Sequence, residues 1–331
     1  MARRLVYADV RSLDATRVGA WLHPGDAEAL VVCAPIVGEA IALGAFQRAK
    51  STLDVRALEG SGTTLVRRAS GGPAVRIGRG RVHVALHLRS PDALGGVSDP
   101  GRALNRHVRP LLRALTSLGD VTATSGGRDV ILMGGEPVAW VGVAHERRTG
   151  RTVVEAIVNV SASFALDDAL DLAHGAIAPR WLGKPVRTID QVLGRSVEPA
   201  LVVEAILREL AITAEGQIDR IELPALPRSR VDLDQAPFTA MVEEVVGLLG
   251  AVVERDRVAL GGDLYASTDA LEALGAELFA LGPDVDDARL SAAVDAAFAE
   301  GTLLLGVQHR GSIGKVVRGA WQAQKSDARG R

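Results

Sequence analysis

Apolar and polar positions alternate with a period of two along Arg81-Val-His-Val-Ala-Leu-His-Leu88, a predicted strand with Val82, Val84, Leu86 and Leu88 on one face. Just upstream, Thr64 to Arg68 reads as a second strand that runs into a turn at Ser70-Gly-Gly-Pro73. The spacing changes at Arg102–Leu118, where Leu104, Val108, Leu111, Leu112 and Leu115 fall on one side of a helix. Three β-rich runs follow, at Asp129–Met133, Pro137–Ala144 and Thr152–Val160, divided by Gly134-Gly135 and by Arg147-Arg-Thr-Gly150. Pro199–Leu210 returns to helical spacing, with proline in the first turn and Leu201, Ala205, Ile206 and Leu210 on one stripe. The apolar run from Ala29 to Phe46 is interrupted by Pro35, Gly38, Glu39 and Gly44, so it reads as two buried strands and not as a membrane span. Strands grouped together with helices at the margins predict an α+β fold, a mixed sheet with flanking helices.

A boundary falls in Glu222–Pro237, where Pro224, Pro227 and Pro237 break a stretch without a stable period. The expected organisation is a large unit at 1–221, a linker at 222–237, a small α/β unit at 238–321 and a flexible tail at 322–331. Within the small unit the order reads as a helix at Thr239–Leu249, a strand at Ala251–Leu260, and helices at Asp269–Leu281 and Asp287–Glu300. Asp284, Asp286 and Asp287 complement a helix N-terminus.

Composition narrows the function. The 331 residues carry a formal net charge of −2 and only eleven aromatic side chains, so neither a field for phosphate backbones nor a platform for bases is present, and a nucleic-acid role is demoted. The single cysteine, Cys33, excludes an internal disulfide framework, and its apolar strand setting reads as core packing. No apolar run follows the short basic opening, so a cytoplasmic protein without a membrane partner is expected. Only Lys50, Lys184, Lys315 and Lys325 are lysines, and 34 arginines make up the other basic residues, a skew read first as the mark of a GC-rich coding sequence.

Candidate chemistry concentrates in Leu65-Val-Arg67-Arg68-Ala-Ser70-Gly71-Gly72-Pro73-Ala74-Val75. Two arginines before a glycine-rich turn set guanidinium donors beside backbone N–H groups, which suits a phosphate or a carboxylate, although a plain hairpin accounts for the same residues. His83 and His87 sit about 13 Å apart on one strand face, too far for a shared metal ion, and are expected at the surface or rim. His145, at the end of its strand, is the better site candidate.

This stretch resembles the signature of the lipoate–protein ligase A family, in which a strand ends in Arg-Arg and a Ser/Thr-Gly-Gly-Gly-Ala-Val turn follows. Further segments agree in order: Gly44-Ala-Phe-Gln47 with the family's Gly-x-x-Gln, Gly127-Arg128-Asp129 with Gly-Arg-Asn-Asp, Ala139-Trp-Val-Gly142-Val143-Ala144 with Lys-x-x-Gly-x-Ala, Pro185–Val192 with the run before the last catalytic helix, and Gly262–Tyr265 with the start of an accessory domain. The resemblance implies a fold shared with biotin ligases, with a small accessory domain. It also implies ATP and Mg2+ as cofactors, lipoate or octanoate as ligand, an acyl-adenylate, and a lysine of a lipoyl domain or other acyl acceptor as partner. On this basis Arg67, Arg68, Ser70, Gly71, Gly72, Ala74 and Val75 are expected at the acyl-adenylate, Val82, Val84, Gly142, Val143 and His145 along the slot, and Asp129 at a metal ion.

The departures are specific. The family lysine falls on Ala139, its asparagine on Arg128, its third glycine on Pro73, and its histidine on Ile77. Arg128, Arg147 and Arg148 are the candidates for restoring positive charge. Three readings stay open: an acyltransferase or ligase of lipoate or octanoate type, a catalytically silent relative that binds an acyl ligand or a protein partner, and a ligase for another carboxylic acid.

Overall fold

The computed structural model describes residues 4–127, 129–166, 172–173, 181–215, 218–223 and 225–329. Its first half builds β1 (Leu5–Asp9), β2 (Leu13–Asp14), β3 (Ala29–Val37), β4 (Glu39–Leu43), β5 (Thr64–Arg67), β6 (Val75–Gly78) and β7 (Arg81–Leu88), with helices α1 (Ala49–Thr52) and α2 (Val55–Ser61) between β4 and β5. Helices α3 (Pro100–His107) and α4 (Arg109–Thr116) follow, then β8 (Ala123–Ser125), β9 (Val130–Met133), β10 (Glu136–His145) and β11 (Thr152–Asn159). Next come α5 (Ile189–Leu193), α6 (Pro199–Thr213) and β12 (Ile218–Glu222). The remainder is β13 (Ala240–Glu243), β14 (Leu248–Val253), β15 (Val258–Gly262), β16 (Tyr265–Ala266), α7 (Thr268–Leu281), α8 (Asp287–Ala297), β17 (Leu304–Leu305) and α9 (Gly311–Arg329).

The main sheet runs β12-β1-β3-β7-β11-β10-β9-β8, parallel through its first three strands and antiparallel from β3 onward. This is the mixed sheet with flanking helices that the grouping of strands implied. Val82, Val84, Leu86 and Leu88 enter the principal core with Leu104, Leu111, Leu115, Val202, Ile206 and Leu210 of the flanking helices. Pro110 opens α4 and divides the expected single helix into α3 and α4, because a proline lacks the N–H that would continue the first. A second sheet, β5-β4-β6, stands apart from the first and carries the glycine-rich turn between β5 and β6.

Four expectations are corrected. The single strand expected at Ala251–Leu260 is broken after Val253 and resumes at Val258, so its residues belong to two antiparallel strands, β14 and β15. Thr239–Leu249 is not a helix: it forms β13 and the start of β14, turned at Gly247 with φ of 146°. Gly250 then lets the ring of Phe238 lie where a Cβ would stand. The chain past Gln322 stays helical to Arg329 as part of α9, whose Val316, Val317, Ala320 and Trp321 enter a second core with Leu249, Leu274, Leu278 and Leu290. His83 and His87, expected at a rim, are only 3% and 2% exposed. The strand face they share is covered, and the backbone N–H of Leu22 donates to Nδ1 of His87.

Candidate active site

Strand β5 ends at Arg67, and its neighbour β4 is also paired with β6, so the chain must turn back across β4 to continue. Gly72 supplies the positive φ of 88° in that turn. Gly71 permits a close approach, since a Cβ there would lie 2.1 Å from the carbonyl oxygen of Leu264. Arg68 is 2% exposed; its Nη1 donates to Ala42 and its Nη2 to the carbonyls of Gly71 and Pro73 at 3.1 and 2.8 Å. Its guanidinium also lies 3.9 Å from the centre of the Trp140 ring, a cation–π contact. Burial lowers its pKa to about 10 against the pull of Glu155, so it stays charged at neutral pH. Arg67 donates through Nη1 to Gly44, Ala45 and Gln47. Both arginines expected to hold an anion thus fasten carbonyls that shape the turn and the Gly44–Gln47 bend.

The sheet face beneath the turn is set by register. Gly142 pairs with Glu155, and Trp140 with Ile157, which pairs in turn with His83, so Trp140, Gly142, Glu155 and His83 share one face. Glu155, 1% exposed, accepts the Ser70 N–H at 2.9 Å and has its other oxygen 3.6 Å from Nε2 of His83. Burial alone would raise its pKa, but His83, Ser70 and the charge of Arg68 outweigh that and hold it at about 2. Ser70 Oγ, Trp140 Nε1 and Arg68 Nε are buried with no hydrogen-bond partner among the described residues. Buried donors left in this way are costly, so three of them beside one turn mark a place suited to an acceptor-rich group. Sequence reading missed Glu155 and Trp140; the available signal was a lone acid inside the apolar strand Thr152-Val-Val-Glu-Ala-Ile-Val-Asn159.

The other expected residues divide between the two faces. Ala139, Val143, Val82 and Val84 point to the opposite side, into the principal core, and Ala139 pairs with Val158 and is fully buried. Ala74, Val75 and Ile77 are fully buried as the chain enters and forms β6. His145 is buried at the end of β10, with Nδ1 3.0 Å from the Thr152 hydroxyl. Arg147 and Arg148 are exposed in the β10–β11 hairpin, where their backbone N–H groups donate to the Asp269 carboxylate. Arg128 lies outside the described residues. The Asp129 carbonyl accepts the Val141 N–H, and its carboxylate charge reaches Asp263 and Tyr265. Among the described residues no three His, Cys, Asp or Glu side chains converge as a metal site. Cys33 is fully buried and its thiol pKa is pushed up by burial, which suits packing and not nucleophilic attack.

The turn is covered from above by Leu264 and Tyr265. The Gly72 N–H donates to Leu264, and the fully buried Tyr265 donates its hydroxyl to the Val141 carbonyl at 3.3 Å. A Cβ on Gly72 would stand 2.4 Å from that hydroxyl. Asp263 joins the two halves: one carboxylate oxygen accepts from Gln47 at 2.5 Å and the other from the Leu248 N–H at 2.8 Å. Burial raises its pKa to about 6.

Comparison with known proteins agrees with this geometry. Among solved structures, the fold resembles P. falciparum LipL1 in complex with lipoate (12% identity, 89% of this chain and 87% of that one, TM-score 0.58). It also resembles the bipartite lipoate protein ligase of Thermoplasma acidophilum, solved in a study that includes its E2 lipoyl domain (19% identity, 67% and 86% covered, TM-score 0.50), and a lipoate-protein ligase A bound with ATP (19% identity, 67% and 88% covered, TM-score 0.50). No curated protein matches the sequence. The lipoyl protein ligase A/B catalytic domain family model matches residues 29–211, the stretch that holds the glycine-rich turn and the sheet face beneath it, and the chain belongs to that family.

Proposed function

We propose that this protein binds a lipoyl or octanoyl group as its acyl-adenylate beside the Ser70–Val75 turn and passes it to a lysine of a lipoyl domain. The observation that carries this reading is the set of buried donors without a hydrogen-bond partner at Ser70 Oγ, Trp140 Nε1 and Arg68 Nε beside the turn. In the transfer step the lysine amine attacks the acyl carbonyl carbon, the C–N bond forms, the C–O bond to the phosphate breaks, and AMP leaves. Donors aimed at the carbonyl and phosphate oxygens stabilise charge that grows in that step.

Transfer suits this site better than adenylation. Forming the adenylate requires a free carboxylate and a triphosphate to meet, and Glu155 keeps a buried negative charge next to Ser70. At an effective dielectric constant of 20, two unit charges 4 Å apart interact by about 4 kcal/mol, so each added anion is opposed. An adenylate brings a single phosphate charge. Where ATP and Mg2+ are used, Arg68 Nε, Ser70 Oγ and Asp129 are the groups to hold them.

A second reading, a silent relative that binds an acyl ligand without turnover, draws support from Ala139 and from Tyr265 standing over the turn. Two incubations separate the readings. Synthetic octanoyl-adenylate with a lipoyl domain is expected to give an acylated lysine by mass spectrometry, whereas ATP, Mg2+ and octanoate are expected to release little pyrophosphate. Pyrophosphate release at a rate matching acylation would restore full ligase activity, and no acylation in either arm would favour the binding protein.

A further inference from the structure

The main sheet ends differently at its two sides. β8, at one edge, is only three residues long and gives another chain little to pair with. β12, at the other, runs for five residues, Ile218-Asp219-Arg220-Ile221-Glu222, and pairs on one side only, in parallel with β1. Its last four residues are exposed, and Ile221 stands 41% open to solvent. Such an edge offers a row of backbone N–H and C=O groups to a further strand, and no strand among the described residues takes them up.

The order of charges along β12 selects the strand that fits it. Side chains alternate, so Ile218, Arg220 and Glu222 share one face of the sheet, and Asp219 and Ile221 share the other. When two copies of one strand pair edge to edge and antiparallel, the twofold axis stands perpendicular to the sheet, and each face continues across it. Every such register centres on one residue, which meets itself. Centring on Asp219, Arg220 or Glu222 sets like charges directly opposite each other, which is destabilising. Centring on Ile218 would need Glu215 to extend the strand, and Glu215 sits at φ of 58° just past α6. Centring on Ile221 brings the two exposed isoleucines together and sets Arg220 of each copy opposite Glu222 of the other.

We propose that β12 is a self-association edge, through which two copies of this chain pair antiparallel about Ile221 and join their main sheets into one. The existing contacts allow it. Arg220 reaches Asp9 at 4.0 Å with both side chains largely exposed, and a second carboxylate adds to that contact. Asp219 keeps its bond to Arg4 at 2.8 Å and comes to face Leu223. Two five-residue strands bury little area, so the association belongs at the weak, concentration-dependent end of specific interfaces. The edge lies four strands from β11, roughly 20 Å at the spacing of paired strands, and the pairing does not depend on the chemistry proposed for the turn.

Sedimentation equilibrium of the full chain over a wide range of concentration tests the assignment, with a reversible monomer–dimer equilibrium as the expected result. Arg220→Glu and Glu222→Arg each set like charges opposite one another twice, and each is expected to weaken the dimer about tenfold. The two together restore both pairs with their signs exchanged, and are expected to recover the affinity to within about threefold of the unsubstituted chain. All these positions are exposed, and recovery in the double variant is a gain that misfolding cannot mimic. A chain that stays monomeric throughout, a dimer indifferent to the single substitutions, or one that the double substitution fails to recover would overturn the proposal.

Discussion

At the scale of single residues, Glu155 is the group on which the site's electrostatics turn. Its folded pKa of about 2 lies below the ordinary 4.5, so it contributes stability that is complete above that value and is lost as pH falls through it toward 2. The shift corresponds to roughly 3 kcal/mol at neutral pH by linkage. Urea unfolding at pH 7 and pH 4 should show a smaller loss on acidification for Glu155→Gln than for the unsubstituted protein; equal losses would place the acid sensitivity elsewhere. Arg67 and Arg68 were legible from sequence as the mark of the turn, and Gln47 as part of its motif. Their bonding was not, because a basic residue before a glycine-rich turn looks the same whether its guanidinium meets a ligand or a backbone carbonyl. Trp140 was hidden for a related reason: strand alternation assigns it a face but does not reveal that Arg68 lies over it.

Among the elements, strands with clean alternation and helices with regular apolar spacing were readable, as β7, β11, α6 and α7 show. Thr239–Leu249 failed because a short apolar run fits both periods, and tertiary contact decided it: β14 is paired on both sides, by β13 and β15. α9 outran its expected end because the position of its core residues, not the polarity of its last turns, sets where the helix is anchored. Trp321, 3% exposed, is its last large anchor. Trp321→Ala should cost about 3–5 kcal/mol in chemical denaturation, the range for removing a buried aromatic. An effect below 1 kcal/mol would mean that α9 is peripheral to the second core. In the turn itself, Gly71→Ala would set a Cβ against the Leu264 carbonyl, and should lower the melting transition by the equivalent of roughly 1–3 kcal/mol.

For the molecule as a whole, the lysine-poor composition and the closed turn bear on one question, whether the family's phosphate chemistry persists. The alignment of six short motifs made the family legible, yet it gave no sign that Leu264 and Tyr265 lie across the turn, since that depends on how two halves meet. Asp263 makes this junction sensitive to pH. Its pKa is raised by burial to about 6, so the joined state binds a proton more tightly than a separated one, and joining strengthens as pH falls through 6 and weakens as pH rises above it. Limited proteolysis within 225–237 should therefore be slower at pH 5.5 than at pH 7.5, after correction for protease activity, and Asp263→Asn should flatten the difference. Occupation of the turn by an acyl-adenylate must compete with Leu264 and Tyr265, so a non-hydrolysable octanoyl-adenylate analogue should speed the same cleavage.

The most direct test of the central claim is a single-turnover measurement, with synthetic octanoyl-adenylate as donor and an apo lipoyl domain as acceptor, read as the mass of the acylated lysine. Acylation above the rate without protein, lost in Ser70→Ala combined with Trp140→Phe at a retained fold by circular dichroism, is the predicted result. Acylation no faster than the uncatalysed reaction, both for the unsubstituted protein and for Tyr265→Phe, would contradict it.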